Sequence, residues 1–417
     1  MLLLFSTKET INFLPHDKLK EFVYFLKFMS FKRCFLGTPK LVINLFRHGA
    51  RGPLKTDDLY WKGLEGQLTS TGKAQHYILG ASLIQRYPHL KDVLKQPERM
   101  FLRTTQFART KESLHYHLLG MYEAHEHALD SLLIYNTDFA LKVKEHLVYK
   151  HFLKADMEMI KKFEDKIHTV PFDEDFEMLC TEPKACPNSF KLLGPENEIL
   201  LENNIKPVCE RLWKDMGIKM GSQEFRYYYD YILANQFEGR NLPDRLSNEL
   251  WAYLKLAGEY YVTFKRFGSD IQKKIFSIFL LEKILDLLHA SRKNEASHEL
   301  ILMSAHDVTI FNLLNALNII TPQKLLEKMN KIDLLHAYEF PNFASQVLIE
   351  LWESEDGKEH FVRIIYENQI LNFTQTQEQQ FYSLTELEKT FKAFYAPYSK
   401  QDFYNHGGIE KYMTKNT

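Results

Sequence analysis

A chain of 417 residues is long enough for one large domain with an insertion, or for two domains. Its 45% hydrophobic and 26% charged residues are those of an ordinary soluble globular protein. Its 53 Lys and Arg are balanced by 54 Asp and Glu, a formal net charge of −1, so no global basic field points to nucleic acid or an acidic membrane surface.

In chain order, residues 1–38 read as an amphipathic N-terminal extension. MLLLF is too short for the apolar core of a signal peptide, and Lys27 interrupts the more apolar FVYFLKFMSF at 22–31. No run reaches the apolar length of a transmembrane helix. Three later segments share one pattern, a short β-rich run, a polar break and a helical period. They are 40–46 followed by 68–87, 100–102 followed by 106–122, and 299–303 followed by 308–317. In the first helix Ala74, Tyr77, Ile78, Ala81 and Ile84 fall on one face. A helix-rich stretch with little strand character lies between, including 247–267 and a strongly apolar helix over 271–290. Two late strands, 345–352 and 360–366, flank the turn Glu355-Asp356-Gly357 and read as an antiparallel hairpin. The tail after Phe373 is polar and weakly periodic.

The predicted fold class is α/β: a mixed, mainly parallel central sheet flanked by helices, with an inserted helical cap subdomain. The boundaries expected are an extension over 1–38, an α/β core over 39–175 and 270–395, the cap over 176–269, and a tail over 396–417. The four cysteines, Cys34, Cys180, Cys186 and Cys209, are too few for a disulfide scaffold and form no CxxC pair. For Cys180 and Cys186, six apart in a proline-bearing loop, a disulfide and free buried thiols both stay open.

Ligands of open α/β sheets bind beyond the carboxyl ends of the strands. The first strand ends in Arg47-His48-Gly49-Ala50-Arg51-Gly52-Pro53, the second in Arg103-Thr104-Thr105, the third in Ser304-Ala305-His306-Asp307. If these strands are neighbours, three arginines, two histidines and an aspartate converge. Guanidinium forks match phosphate oxygens, a neutral imidazole can attack phosphorus in line, and a carboxylic acid can protonate the leaving alkoxide. Taken singly, Asp307 reads more readily as the N-cap of the next helix, and it is the joint pattern that favours a role in the chemistry. Arg103 is preferred to Arg109 because it sits at a strand end, whereas Arg109 lies in the helix. The histidines 115, 117, 125 and 127 form HxH pairs that do not share a helix face, so they read as a solvated helix surface rather than a metal site. FRYYYDY at 225–231 could stack a substrate ring, but reads better as a packed interface of the helical insertion. GxxxxGKS/T, GxGxxG and HExxH are absent from the sequence, so nucleotide-binding and zincin readings have no support.

RHGARGP fits the RHGxRxP signature of the histidine acid phosphatases, and SAHDVT at 304–309 fits their HD motif. LRTTQFART, GQLTSTGKAQHYILG, IHTVPFDED, ACPNSF, NLP and NFASQVLIELW add supporting matches, so the chain resembles this family over about 39–368. The lysosomal and prostatic group is the nearest in pattern. The resemblance implies a phosphate monoester hydrolase working through a phosphohistidine, with no metal or cofactor. By position it makes His48 the nucleophile, Arg47, Arg51 and Arg103 the phosphate-binding arginines, His306 a second phosphate-contacting histidine and Asp307 the proton donor, protonated at the start. A phosphomonoester is then the expected partner, not nucleic acid, and a homodimer stays open. The family's secreted members carry several disulfides, yet Gln346 stands where one cysteine is expected. The resemblance implies a lysosomal or secreted location, and the lack of a clear signal leaves a cytoplasmic one open. A specialised lysophospholipid or phytate phosphatase, and a silent phosphate-binding protein, are the alternatives.

Overall fold

The computed structural model describes residues 37–123, 161, 163–331, 339–373 and 379–409. Cys34, His125, His127, most of the expected N-terminal extension and the end of the expected tail lie outside the described residues. The elements that position the site are, in chain order, β1 (Leu41–Arg47), α1 (Ser70–Arg86), β2 (Met100–Thr104), α2 (Ala108–Glu123), β3 (Ile167–Thr169), α3 (Pro195–Met216), α4 (Ser222–Phe237), α5 (Asn248–Phe267), α6 (Asp270–Ile275), α7 (Ile278–Arg292), β4 (Leu300–Ala305), α8 (Asp307–Ala316), α9 (Pro322–Lys331), β5 (Gln346–Glu353), β6 (His360–Tyr366), β7 (Gln369–Ile370), β8 (Tyr382–Ser383), α10 (Leu384–Tyr395) and α11 (Lys400–Gly407).

The sheet runs β3-β2-β4-β1-β5-β6-β7, with β8 paired to β6. Strands β3, β2, β4 and β1 are mutually parallel, and β5 and β6 continue antiparallel, so the expected mixed sheet and hairpin are both present. β1 is buried along its whole length because it is central. Its side chains alternate, Leu41, Ile43 and Leu45 packing into one core and Val42 and Phe46 into the other. Each such fully buried aliphatic contributes about 1.5–3 kcal/mol. Helices α1 and α2 cover the second face. The first carries the larger core, which runs unbroken into α3 to α8.

α1 and α2 cross at glycines. A Cβ at Gly80 would lie 1.9 Å from the His117 carbonyl oxygen, and one at Gly120 would lie 1.8 Å from that of Tyr77. Only hydrogen fits at this crossing, which fixes how α2, and the loop before it, approach the end of the sheet.

Two local expectations change, and one open alternative is decided. The apolar stretch 271–290 is two helices, α6 and α7, parted at Phe276 and Ser277. Asn312 holds both, accepting from Ser277 Oγ at 2.7 Å and donating to the Phe276 carbonyl at 2.9 Å. The polar tail forms α10 and α11, each opened by a capping box, Ser383 with Glu386 and Ser399 with Asp402. Leu384, Leu387 and Phe391 of α10 and Phe403 of α11 are buried in the core. Cys180 and Cys186 are free thiols, donating to the carbonyls of Phe276 and Gly407.

Candidate active site

The register of the three central parallel strands brings their ends together: Arg47 lies beside Ala305, and Thr104 beside Ser304. The loop leaving β1 is then tied down by its neighbours. Gly49 N–H donates to Ser113 Oγ at 3.1 Å, and Ala50 N–H to Gln75 Oε1 at 2.8 Å. The Ala50 carbonyl accepts from the backbone and side chain of Thr69, the residue that caps α1. A Cβ at Gly49 would come within 2.3 Å of the Gly72 carbonyl oxygen. That glycine therefore serves the close approach of the α1 backbone.

Beyond these ends lies a cavity of about 230 Å³, lined among others by Arg47, His48, Arg51, Arg109, His306 and Asp307. His48 Nδ1 is 2.9 Å from the Gly49 carbonyl oxygen. A carbonyl only accepts, so Nδ1 carries the proton and Nε2 keeps its lone pair. Burial, then the charges of Arg109 and Arg47, hold the imidazole pKa well below its ordinary value. The ring therefore stays neutral into more acidic solution than an ordinary histidine would. His306 meets His48 edge-on at 5.4 Å, and its Nε2 is 3.0 Å from Thr105 Oγ1.

The arginines are fixed by distinct partners. Arg47 donates to the Pro341 carbonyl at 2.8 Å, pairs with Asp307 at 2.8 Å, and stacks over Phe343 at 4.3 Å. Arg51 makes a bidentate pair with Asp230 at 2.7 and 3.2 Å, and Asp230 also accepts the Leu54 N–H at 2.7 Å. Arg109 stacks on Phe107 at 4.2 Å, and among the described residues no carboxylate pairs with it. Burial and the neighbouring Arg51 push its pKa down to about 9, so it stays cationic at neutral pH while lacking a counter-charge. The carboxylates that act on it, Asp307 and Asp230, are already paired with Arg47 and Arg51.

A family model described as the histidine phosphatase superfamily (branch 2) matches residues 38–367. The chain belongs to that superfamily. Rat prostatic acid phosphatase is 24% identical over 344 residues, covering 80% of this chain and 79% of its own. Rat lysosomal acid phosphatase is 26% identical over 334 residues, covering 76% and 71%. Among solved structures, the D. castellii phytase aligns with a TM-score of 0.56 at 12% identity, over 91% of this chain and 85% of its own. The Klebsiella sp. ASR1 phytase gives 0.51 at 16%, over 87% and 98%. These two establish the shared fold.

In this histidine phosphatase, five of the six residues expected from sequence line the cavity: Arg47, His48, Arg51, His306 and Asp307. Arg103 does not. β2 runs two residues further than its sequence suggests, to Thr104, so Arg103 lies inside the sheet, level with Met303. Its guanidinium is 2% exposed and pairs at 2.8 Å with Asp175, whose side chain is fully buried. Arg109, from the first turn of α2, occupies the pocket instead.

Asp307 departs from expectation in its charge. Burial raises its carboxyl, but Arg47, His306, Arg266 and the Val308 N–H outweigh this and leave it below its ordinary value. Its surroundings thus favour the ionised form, whereas the proton-donor role expected of it calls for the protonated one. Asp307 is also the first residue of α8, with His306 at the cap position.

Sequence reading missed Asp230, embedded in the aromatic run on α4, where a lone acid four residues after Arg226 was the available signal. It also misplaced His117 on a solvated surface. That ring is buried and stacks on Phe46 at 4.8 Å, whereas His115 pairs with Glu164 at 2.8 Å. Gln346 accepts a 3.1 Å hydrogen bond from buried Asn44. Among the described residues no group of three or more His, Cys, Asp or Glu is placed to hold a metal ion, and no helix is long and apolar enough to cross a membrane.

Proposed function

We propose that the cavity hydrolyses phosphate monoesters in two steps, with the unbonded Nε2 of neutral His48 facing a phosphate held by Arg47, Arg51 and Arg109. That juxtaposition is the observation carrying the reading. In the first step Nε2 forms a bond to phosphorus as the ester P–O bond breaks, and the departing oxygen takes a proton from Asp307. In the second, water attacks phosphorus and the P–N bond breaks. Asp307 accepts the water's proton, and phosphate leaves. His306 donates to a nonbridging oxygen, and the guanidinium cage offsets the charge of the transferring group.

The Arg47–Asp307 pair defines where the first proton comes from. A phosphate monoester has its second ionisation near pH 6, so at acidic pH it enters as the monoanion. Its oxygens take over Arg47, the carboxylate loses its counter-charge, and the substrate's proton moves to Asp307. This gives acid-favoured activity without a carboxyl that is protonated in advance. Residues 176–269 act as a cap in this reading, with α4 fixing Arg51 through Asp230, while 39–175 and 270–395 form the core. The curated relatives, named acid phosphatases, support the assignment.

The experiment is hydrolysis of 4-nitrophenyl phosphate at pH 4–6, with and without chelator, and acid–base mapping of any trapped phosphoryl group. The expected result is turnover insensitive to chelator, an acid-labile, base-stable phosphoenzyme, and a loss of about 10³-fold or more in His48→Ala. Full activity in His48→Ala, or a folded wild type inert at pH 4–6, overturns the reading.

A further inference from the structure

The catalytic corner accounts for Arg47, Arg51 and Arg109, yet two more guanidinium groups line the same cavity: Arg226 from α4 and Arg266 from α5. Three acids line the cavity: Asp307 and Asp230 pair with Arg47 and Arg51, and Glu182 is taken by Arg266, which donates from Nη2 to Oε1 at 3.0 Å. Arg226 is half-buried, and among the described residues it has no hydrogen-bonded or ion-paired partner. Burial and then the neighbouring Arg266 charge oppose its protonated form, only partly relieved by Glu182. An incoming anion would supply the absent counter-charge.

The position of this group follows from helix geometry. Asp230 is anchored to Arg51 at 2.7 Å, which fixes that point of α4 at the phosphate end of the cavity. Arg226 is four residues earlier on the same face, about 6 Å along the helix axis. Among the arginines lining the cavity, those at the catalytic end are neutralised pairwise except Arg109, and those at the far end except Arg226. The cavity therefore presents two uncompensated cations, one beside His48 and one a helical turn away.

We propose that Arg226, backed by Arg266, is a second anion subsite reading a phosphate group on the leaving-alcohol side of the substrate. The preferred substrate class is thus a small bisphosphate, of which one phosphate is hydrolysed while the other is held. The proposal rests on the phosphatase reading above but is tested apart from it. Propane-1,3-diol bisphosphate and propane-1,3-diol monophosphate share a carbon skeleton, and their leaving alcohols differ only in the second phosphate, so the ratio of their kcat/KM values reads the subsite.

In the wild type that ratio should be about tenfold or more in favour of the bisphosphate, the size of one charge-assisted contact. In Arg226→Gln it should fall to within about twofold of unity, and Arg226→Lys should restore part of it. The lost preference should appear mainly in KM, because the held phosphate contributes equally to ground and transition states. Arg226→Met serves if the glutamine variant does not fold. A wild-type ratio near unity, or a ratio unchanged by the substitution, overturns the subsite. If 4-nitrophenyl phosphate is not hydrolysed at all, the phosphatase reading fails instead. Calorimetric affinities of the two propanediol phosphates for wild type and Arg226→Gln then decide the subsite on the same ratio.

Discussion

The two walls of the cavity are built on different principles. The catalytic wall hangs on backbone: parallel registry of β1 with β4 sets His48 and His306 side by side whatever surrounds them. The opposite wall is made of helix faces, where Arg226 and Asp230 on α4, and Val262 and Arg266 on α5, repeat at one-turn spacing. Strand ends deliver fixed atoms for chemistry, which tolerates little displacement. Helix faces deliver side chains that can change without disturbing the sheet. On the proposed function the chemistry is therefore fixed by the first wall, and selectivity is free to vary in the second.

The sharpest way to break this comparison is at two arginines, Arg103 within β2 and Arg109 in the first turn of α2. Arg109→Gln should lower kcat/KM for an aryl phosphate by about 100-fold, as for the loss of one oxyanion donor, with little change in thermal stability. Arg103→Gln should do the reverse, costing about 3–5 kcal/mol of stability by stranding buried Asp175, while the folded fraction keeps its turnover. Denaturant melts beside kinetics separate the two. An Arg103 variant that folds normally but loses turnover would put that residue back in the catalytic wall.

A smaller effect concerns Asp307. Asp307→Asn should cost an alkyl phosphate about tenfold more in kcat than a nitrophenyl phosphate, whose leaving group needs no proton. Equal losses on both would take the acid role away from it. The smallest effect is on pH dependence. A base with a depressed pKa stays unprotonated at any pH above that lowered value, so the acid limb of activity lies below where an ordinary histidine would place it. Arg109 supplies part of that depression, second to burial, so the acid limb of Arg109→Gln should move to higher pH. The alkaline limb should follow the second ionisation of the substrate, near pH 6, and shift when aryl phosphates of different phosphate pKa are compared.

The contrast also explains what could be read in the sequence. RHGxRxP and the HD motif are contiguous, and their geometry is dictated by one strand end each, so five residues were legible without a structure. Arg103 was expected in the pocket because strand ends are known only to within a few residues, and two more residues of β2 place it inside the sheet. Asp230 and Arg226 were not legible because a helix face becomes a pocket wall only through tertiary packing, which an aromatic run cannot disclose. α10 and α11 were legible in principle. Their capping boxes, Ser383 with Glu386 and Ser399 with Asp402, are present in the sequence, but the polar residues between their buried positions masked the periodicity.

The glycine crossing of α1 and α2 reaches further than packing. Gly120 lies eleven residues beyond Arg109 on one helix, about 16 Å away along its axis. A methyl group there would meet the Tyr77 carbonyl at 1.8 Å, and relieving it would part the helices by about 1.5 Å. The helix would transmit that displacement as a lever to the one uncompensated cation beside His48. The mutational footprint of the active site therefore extends across the back of the sheet. A residue that never touches substrate would there read, in a kinetic screen, like a lost phosphate ligand.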